Sequence, residues 1–303
     1  MNIEPLEPHI APASILAYTD IDGDRVSVTS SSGSGDLNAV GVAQLDNPGA
    51  ARKQLQGLTL DAGFTGTNLV FTVTKAGGGD GLAHLGFIEA SGVKLGNVTI
   101  KGDLGKIDCG NADLTKLGLK TLTVRSLGRF GTDTGASGFS SFITGPVGAL
   151  VVKGDVVGVQ FFALATGQPT GIGAVTIGGS LIGAGNFTGE IASDGGIGPV
   201  EIGKDIVGGP GDRSGTVRSD MRIASVTVGG SIIGGSGVDS GRLFGMLELG
   251  PVQVGKSVIG GGGERSGIIN CGADGEIASV AIGGALLGGA GKNSGGVFAN
   301  FPA

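Results

Sequence analysis

Apolar and polar residues alternate through one phrase, Ile223-Ala224-Ser225-Val226-Thr227-Val228-Gly229-Gly230-Ser231-Ile232-Ile233-Gly234-Gly235, and copies of it recur from about residue 95 onward. Taking the first apolar residue of each V-x-V element as anchor gives Val98, Leu122, Leu150, Val175, Val200, Val226, Val252 and Val280, in steps of 24, 28, 25, 25, 26, 26 and 28 residues. A period of this size marks units that cannot bury their apolar faces alone and must stack on their neighbours. Within each unit the alternation has period two, so Val226 and Val228 face one side and Thr227 the other.

Between the V-x-V elements lie corners such as Gly208-Gly209-Pro210-Gly211-Asp212-Arg213-Ser214-Gly215, in which no stable helix fits. About 25 residues then make three short strands joined by tight turns, with coils ~4.8 Å apart. The pattern predicts an all-β fold, a right-handed parallel β-helix (β-solenoid). The same spacing fits a leucine-rich-repeat-like solenoid, because Ile223-x-x-Val226-x-Val228-x-x-Ser231-x-Ile233 follows that consensus. Against this alternative, Ser231 has Asp205, Ser257 and Ala285 as equivalents, so no asparagine ladder is expected.

The expected organisation is a tail over 1–14, a hairpin and cap over 15–57, and the solenoid over 58–303. Ile15 to Thr19 and Arg25 to Thr29 alternate around an Asp-Gly pair and read as a β-hairpin. Ala51 to Leu55 reads as a short helical segment, and the ladder is expected to begin at Asn68 to Val73. Asp20, Asp22 and Asp24 form either a polar turn or a calcium site: their spacing resembles the opening of an EF-hand loop, although glycine stands at the fourth place and Ser31 at the place of the bidentate glutamate.

Composition changes the picture in two places. Gly 66 and Pro 10 in 303 residues approach the content of low-complexity chains, but the period and 40% hydrophobic residues argue for order. A net charge of -6 lacks the basic footprint of nucleic-acid binding, and no apolar run reaches transmembrane length. Cys109 and Cys271 lie six coils apart, on the order of 29 Å at the strand spacing, too far for a disulfide and suited to the interior.

Candidate chemistry is sparse. His9 sits in the tail and His84 in a lone loop. Arg213, Asp239 and Arg265 share one repeat position, which predicts an aspartate between two arginines that fixes register. Gly234-Gly235-Ser236-Gly237-Val238-Asp239 matches the start of the calcium-binding nonapeptide without its tandem repetition. Thr99, Thr123, Thr176 and Thr227 form an outward column, interrupted by Val151, Glu201, Gln253 and Ala281, that suits strand propensity better than an ice-binding face. Asp103, Asp155 and Asp205, with Lys101, Lys153 and Lys204 near them, are the only material for the carboxylate clusters of carbohydrate-cleaving β-helices such as pectate lyases and polygalacturonases. Phe130, Phe139, Phe142, Phe161 and Phe162 read as interior stacking, or as an exposed bulge that binds a partner.

The tail carries Glu4-Pro5-Leu6-Glu7-Pro8-His9 and has neither the basic nor the apolar region of a signal peptide. Leu6-Glu7-Pro8-His9 resembles the Leu-Glu-Pro-Arg motif near the start of many secreted or surface repeat proteins of planctomycete-type bacteria, with His9 in place of the arginine; otherwise it is an extended proline-bearing tail. The resemblance implies an extracellular or cell-surface location. The expectation is a non-enzymatic structural or adhesive scaffold whose last coil either is covered by Phe298 and Phe301 or associates with another copy end to end through the edge around Ala281 to Val297; the alternative is a β-helix that binds or cleaves carbohydrate, with a cell-surface polysaccharide as partner.

Overall fold

In a computed structural model, which describes residues 14–31, 33–47 and 49–299, the chain folds as a β-solenoid. Stacked coils lie about 26 residues apart over about nine turns, and 2% of the chain is helical. The Leu6-Glu7-Pro8-His9 motif lies outside the described residues. A regular coil lays down three strands, for example Ile197–Ile202, Ile206–Val207 and Thr216–Ser219. Each pairs in parallel with its counterpart in the next coil, through Val200↔Val226, Ile206↔Ile232 and Val217↔Leu243.

All eight anchors share one column, linked through Val98↔Leu122, Leu122↔Leu150, Leu150↔Val175, Val175↔Val200, Val200↔Val226, Val226↔Val252 and Val252↔Val280. The column is buried from Val98 to Val252 and half-buried at Val280, in the last described coil. Each such side chain contributes roughly 1.5–3 kcal/mol on burial, an upper bound, and reaches it only when a coil lies on either side.

The leucine-rich-repeat alternative fails on the second half of each unit. There the chain makes two more strands, and the only helical pieces among the described residues are the 3-10 turns Ala62–Phe64 and Gly131–Thr134. A polar ladder exists nonetheless, built from aspartate and serine. Asp155 Oδ1 accepts from Ser180 N, Ser180 Oγ from Asp205 N, Asp205 Oδ1 from Ser231 N, Ser231 Oγ from Ser257 N, and Ser257 Oγ from Ala285 N. Either side chain performs the task assigned to asparagine, because only an acceptor is required.

The glycine-rich corner is closed by a serine. Ser214 Oγ accepts from Gly209 N at 2.8 Å and donates to Gly211 O at 2.6 Å, and Ser240 and Ser266 repeat the arrangement. Thr188 takes the same place one coil earlier, and the residue before this hydroxyl is left-handed in five coils: Phe187, Arg213, Asp239, Arg265 and Asn293 have φ of 58°, 52°, 58°, 51° and 56°. The glycine after it is left-handed too; at Gly215, with φ 61°, a Cβ would lie 2.2 Å from the Val207 carbonyl oxygen.

The first coils are built differently. Ile15–Thr19 and Arg25–Ser30 form the expected hairpin with Ile15↔Thr29, and its second strand pairs antiparallel with Leu69–Thr74. That strand joins the parallel ladder at Leu69↔Val98. Leu55–Thr59 runs across the expected boundary between cap and solenoid; it is antiparallel to Ala43–Leu45 and parallel to Leu85–Ser91. The helix expected over Ala51 to Leu55 is absent: the chain bends through Arg52 and enters the strand at Leu55. A segment this short gains too little from its own hydrogen bonds to compete with a strand pairing on both sides.

Candidate functional site

The turn of the N-terminal hairpin brings Asp20, Asp22 and Asp24 together, with one ligand atom of each within 4.8 Å of the others. Asp20 Oδ1 accepts from the backbone N–H groups of Gly23 and Asp24, at 3.0 and 2.7 Å, closing the turn. Asp24 is fully buried and faces away from solvent into the loop 76–81. One of its oxygens accepts from Ala76 N at 2.6 Å and the other from Gly81 N at 2.5 Å. Asp22 Oδ2 accepts from Asp80 N at 2.8 Å, while its buried Oδ1 has no hydrogen-bond partner.

Burial, and then a hydrogen bond to Asp22, push the Asp20 carboxyl up to about 7. The same hydrogen bond holds Asp22 below its ordinary value. The pair therefore takes up one proton as pH falls below about 7. An all-oxygen donor set suits a hard cation such as calcium, which takes six to eight oxygens. Asp20 and Asp22 would hold it and release their shared proton, and Asp24, engaged with two amides, anchors the loop beside them.

A cleft of about 270 Å³ beside this turn is lined by Tyr18, Asp20, Asp22, Asp80, His84 and Phe130 among others. His84 Nδ1 accepts from Asp103 N at 3.0 Å, and its Nε2 lies 3.4 Å from Asp80 Oδ2. Its ring meets the edge of Phe130 at 4.5 Å. His84 is thus tied to both neighbours. His9 lies outside the described residues.

The corner carboxylates are likewise engaged with backbone. Asp103, fully buried, accepts from Ser126 Oγ, Arg129 N and Phe130 N, and Asp155 and Asp205 hold the ladder described above. Lys101, Lys153 and Lys204 form no ion pair with them among the described residues; the cation nearest Asp155 is Arg129, at 3.7 Å.

The charge column differs from expectation at one end. Arg265 grips Asp239 through two contacts of 2.8 and 3.1 Å, but the second arginine on that carboxylate is Arg242, at 2.9 Å. Arg213 lies over the Phe187 ring at 5.6 Å. Burial lowers Arg242 to about 10. Two coils back from Arg242, Glu190 is buried with Gln160 Nε2 donating to it at 2.6 Å and Arg218 Nε 3.7 Å away, and burial raises its carboxyl. The alternation gave no sign of these groups as a cluster, because they lie on the third face, outside the V-x-V elements.

The cysteines are free and buried in one column: Cys109↔Ile143↔Ala163↔Ser193↔Ser219↔Gly245↔Cys271, six strand steps apart. The phenylalanines divide. Phe161 fills the interior, whereas Phe142 and Phe162 meet edge to face on the outside with ring centroids 6.1 Å apart. An interior place thus holds for Phe161 and not for this outer pair.

No helix among the described residues is long and apolar enough to cross a membrane. No protein-family model, no curated protein and no solved structure matches the chain.

Proposed function

We propose that this protein is a non-catalytic scaffold of the cell surface or extracellular space that associates with copies of itself end to end. The observation that carries the association is the edge of the last described coil. Val280–Ile282 and Leu286–Leu287 each pair with a strand on one side only among the described residues, and Leu286 and Leu287 are exposed. Unpaired strand edges beside apolar side chains template pairing with another chain. Lys292 is the single charged residue from Val280 to Phe298, too little to block a whole coil.

The non-catalytic reading is supported by what the carboxylates do. Carbohydrate cleavage uses an accessible acid and base that converge on a substrate. Here Asp103, Asp155 and Asp205 accept hydrogen bonds from the next coil, and Asp239 is enclosed by Arg242 and Arg265. The location rests on the resemblance of Leu6-Glu7-Pro8-His9 to an export-associated motif.

Sedimentation velocity across a hundredfold concentration range tests the association. The sedimentation coefficient should rise with concentration, and Ala281→Lys with Ala285→Lys should suppress the rise. A strict monomer throughout would remove the reading.

A further inference from the structure

The first face of the solenoid opens into a cleft near its N-terminal end. Leu69–Thr74 pairs with the strand Leu95–Gly110 only at Leu69↔Val98 and Val70↔Thr99. From Phe71 onward it follows its antiparallel partner, through Phe71↔Val28 and Val73↔Val26. The two strands diverge, and a space of about 500 Å³ opens, lined by Thr72, Thr99, Lys101, Thr123, Arg125 and Lys153 over an apolar floor. No acidic residue among the described residues lines it.

The three cations follow one another up this face. Ile100, Val124 and Val152 are partners in successive coils, and Lys101, Arg125 and Lys153 each stand one residue further on, Lys101 where the register to the next strand shifts. All three are exposed, and none forms an ion pair among the described residues. Like charges stacked on neighbouring strands work against folding. The continuation of the column is uncharged: Gly178, Gly203, Gly229, Gly255 and Gly283 follow the partners Ile177, Ile202, Val228, Val254 and Ile282. Cations therefore occur at this position only where the cleft is.

We infer that this cleft binds an extended acidic polysaccharide, with Lys101, Arg125 and Lys153 meeting successive anionic groups and Thr72, Thr99 and Thr123 hydrogen-bonding sugar hydroxyls. A ladder of cations matches a ligand whose charges recur along a line, and the hydroxyls between them match a ligand rich in hydroxyls. Single-stranded nucleic acid fits less well. Its binding relies on exposed aromatic platforms, and Phe71, the one ring lining the cleft, is buried in its floor. The inference adds a ligand to the scaffold reading and does not depend on end-to-end association.

The test is calorimetric titration of the full chain at low ionic strength, at concentrations where it sediments as monomer. Probes are oligogalacturonate for carboxylates, a heparin oligosaccharide for sulfates, cellohexaose as a neutral chain and a single-stranded oligodeoxynucleotide. At least one acidic glycan should bind, more weakly as salt rises, with cellohexaose and the oligonucleotide inert. Lys101→Gln, Arg125→Gln and Lys153→Gln together should weaken binding by roughly tenfold or more, each lost contact being worth several tenths of a kcal/mol or more. The same triple variant should melt no lower than the parent, which separates loss of binding from loss of fold. Lys204→Gln with Lys256→Gln should bind as the parent does. Absence of binding to both acidic glycans, equal binding by the triple variant, or preference for the oligonucleotide would each overturn the inference. The carboxylated and sulfated probes identify which anion is the source.

Discussion

The coils before and after about residue 171 solve the same problem in two ways. From Ile172 onward the strands are short and in even register, the corners are closed by serines at one repeat position, and outward carboxylates bond to the neighbouring coil. Before it, an antiparallel hairpin joins the ladder, the register shifts between Ile100 and Asp103, a 3-10 turn interrupts the chain at Gly131–Thr134, and strands diverge. The difference teaches that regularity satisfies polar groups internally and leaves little for a ligand. Divergence opens clefts and leaves cations, an acidic turn and aromatic rings facing outward.

If that contrast is right, substitutions in the regular coils should act on stability and those around the N-terminal cleft should not. The largest effect is expected from Ile232→Ala, which leaves a cavity between two coils and should cost about 2–5 kcal/mol in chemical denaturation. Thr99→Ala, on the outward side of the cleft, should stay within about 0.5 kcal/mol. Comparable losses at both sites would erase the distinction. Next is Asp205→Ala, which removes the acceptor for Ser231 N and should cost about 1.5–3 kcal/mol; Asp205→Asn, retaining an acceptor oxygen, should restore most of it.

A smaller effect concerns the hairpin turn. Asp20 has a folded pKa raised to about 7, so its contribution to stability is present in full below its unfolded value near 4 and is lost as pH rises through 7. Glu190, also raised by burial, acts in the same direction. Asp20→Asn should therefore flatten the fall in melting temperature across this window, and adding Glu190→Gln should flatten it further. An unchanged slope in the double variant would show that the two carboxyls do not titrate as described. The smallest effect is calcium, which should raise the melting temperature more at pH 8 than at pH 6 because it displaces the shared proton. Chelation should reverse the gain, and Asp22→Ala should abolish it; no shift with calcium would leave Asp20, Asp22 and Asp24 as a polar turn.

Much of the fold was legible because each valine in V-x-V must meet its counterpart one period away, and the anchors do so without a slip. The hairpin was legible from Asp22-Gly23 and its flanking alternation, and the cysteine separation from simple counting. Side-chain destinations were less so. Arg213 shares its repeat position and its left-handed backbone with Arg265, yet it lies over the Phe187 ring one coil back, and Arg242 takes the place on Asp239. The Asp155-to-Ser257 ladder was read as a missing asparagine ladder, although a carboxylate or hydroxyl accepts the same N–H. Phe162 could have been placed outside by parity, since its neighbour Phe161 points in. The cation column is not legible in the sequence, because Lys101, Arg125 and Lys153 lie in the coils spaced 24 and 28 residues apart, where the repeat is least regular, and because strand divergence is a tertiary event.

The central claim is that ligand chemistry is confined to the first coils and cohesion to the rest. Backbone chemical-shift mapping with oligogalacturonate or heparin oligosaccharide addresses it directly. Perturbations confined to Thr72, Thr99, Lys101, Thr123, Arg125, Lys153 and their neighbours, with Glu201, Thr227 and Gln253 silent, are what the account predicts. Perturbations spread along the whole first face, or centred on the regular coils, would contradict it.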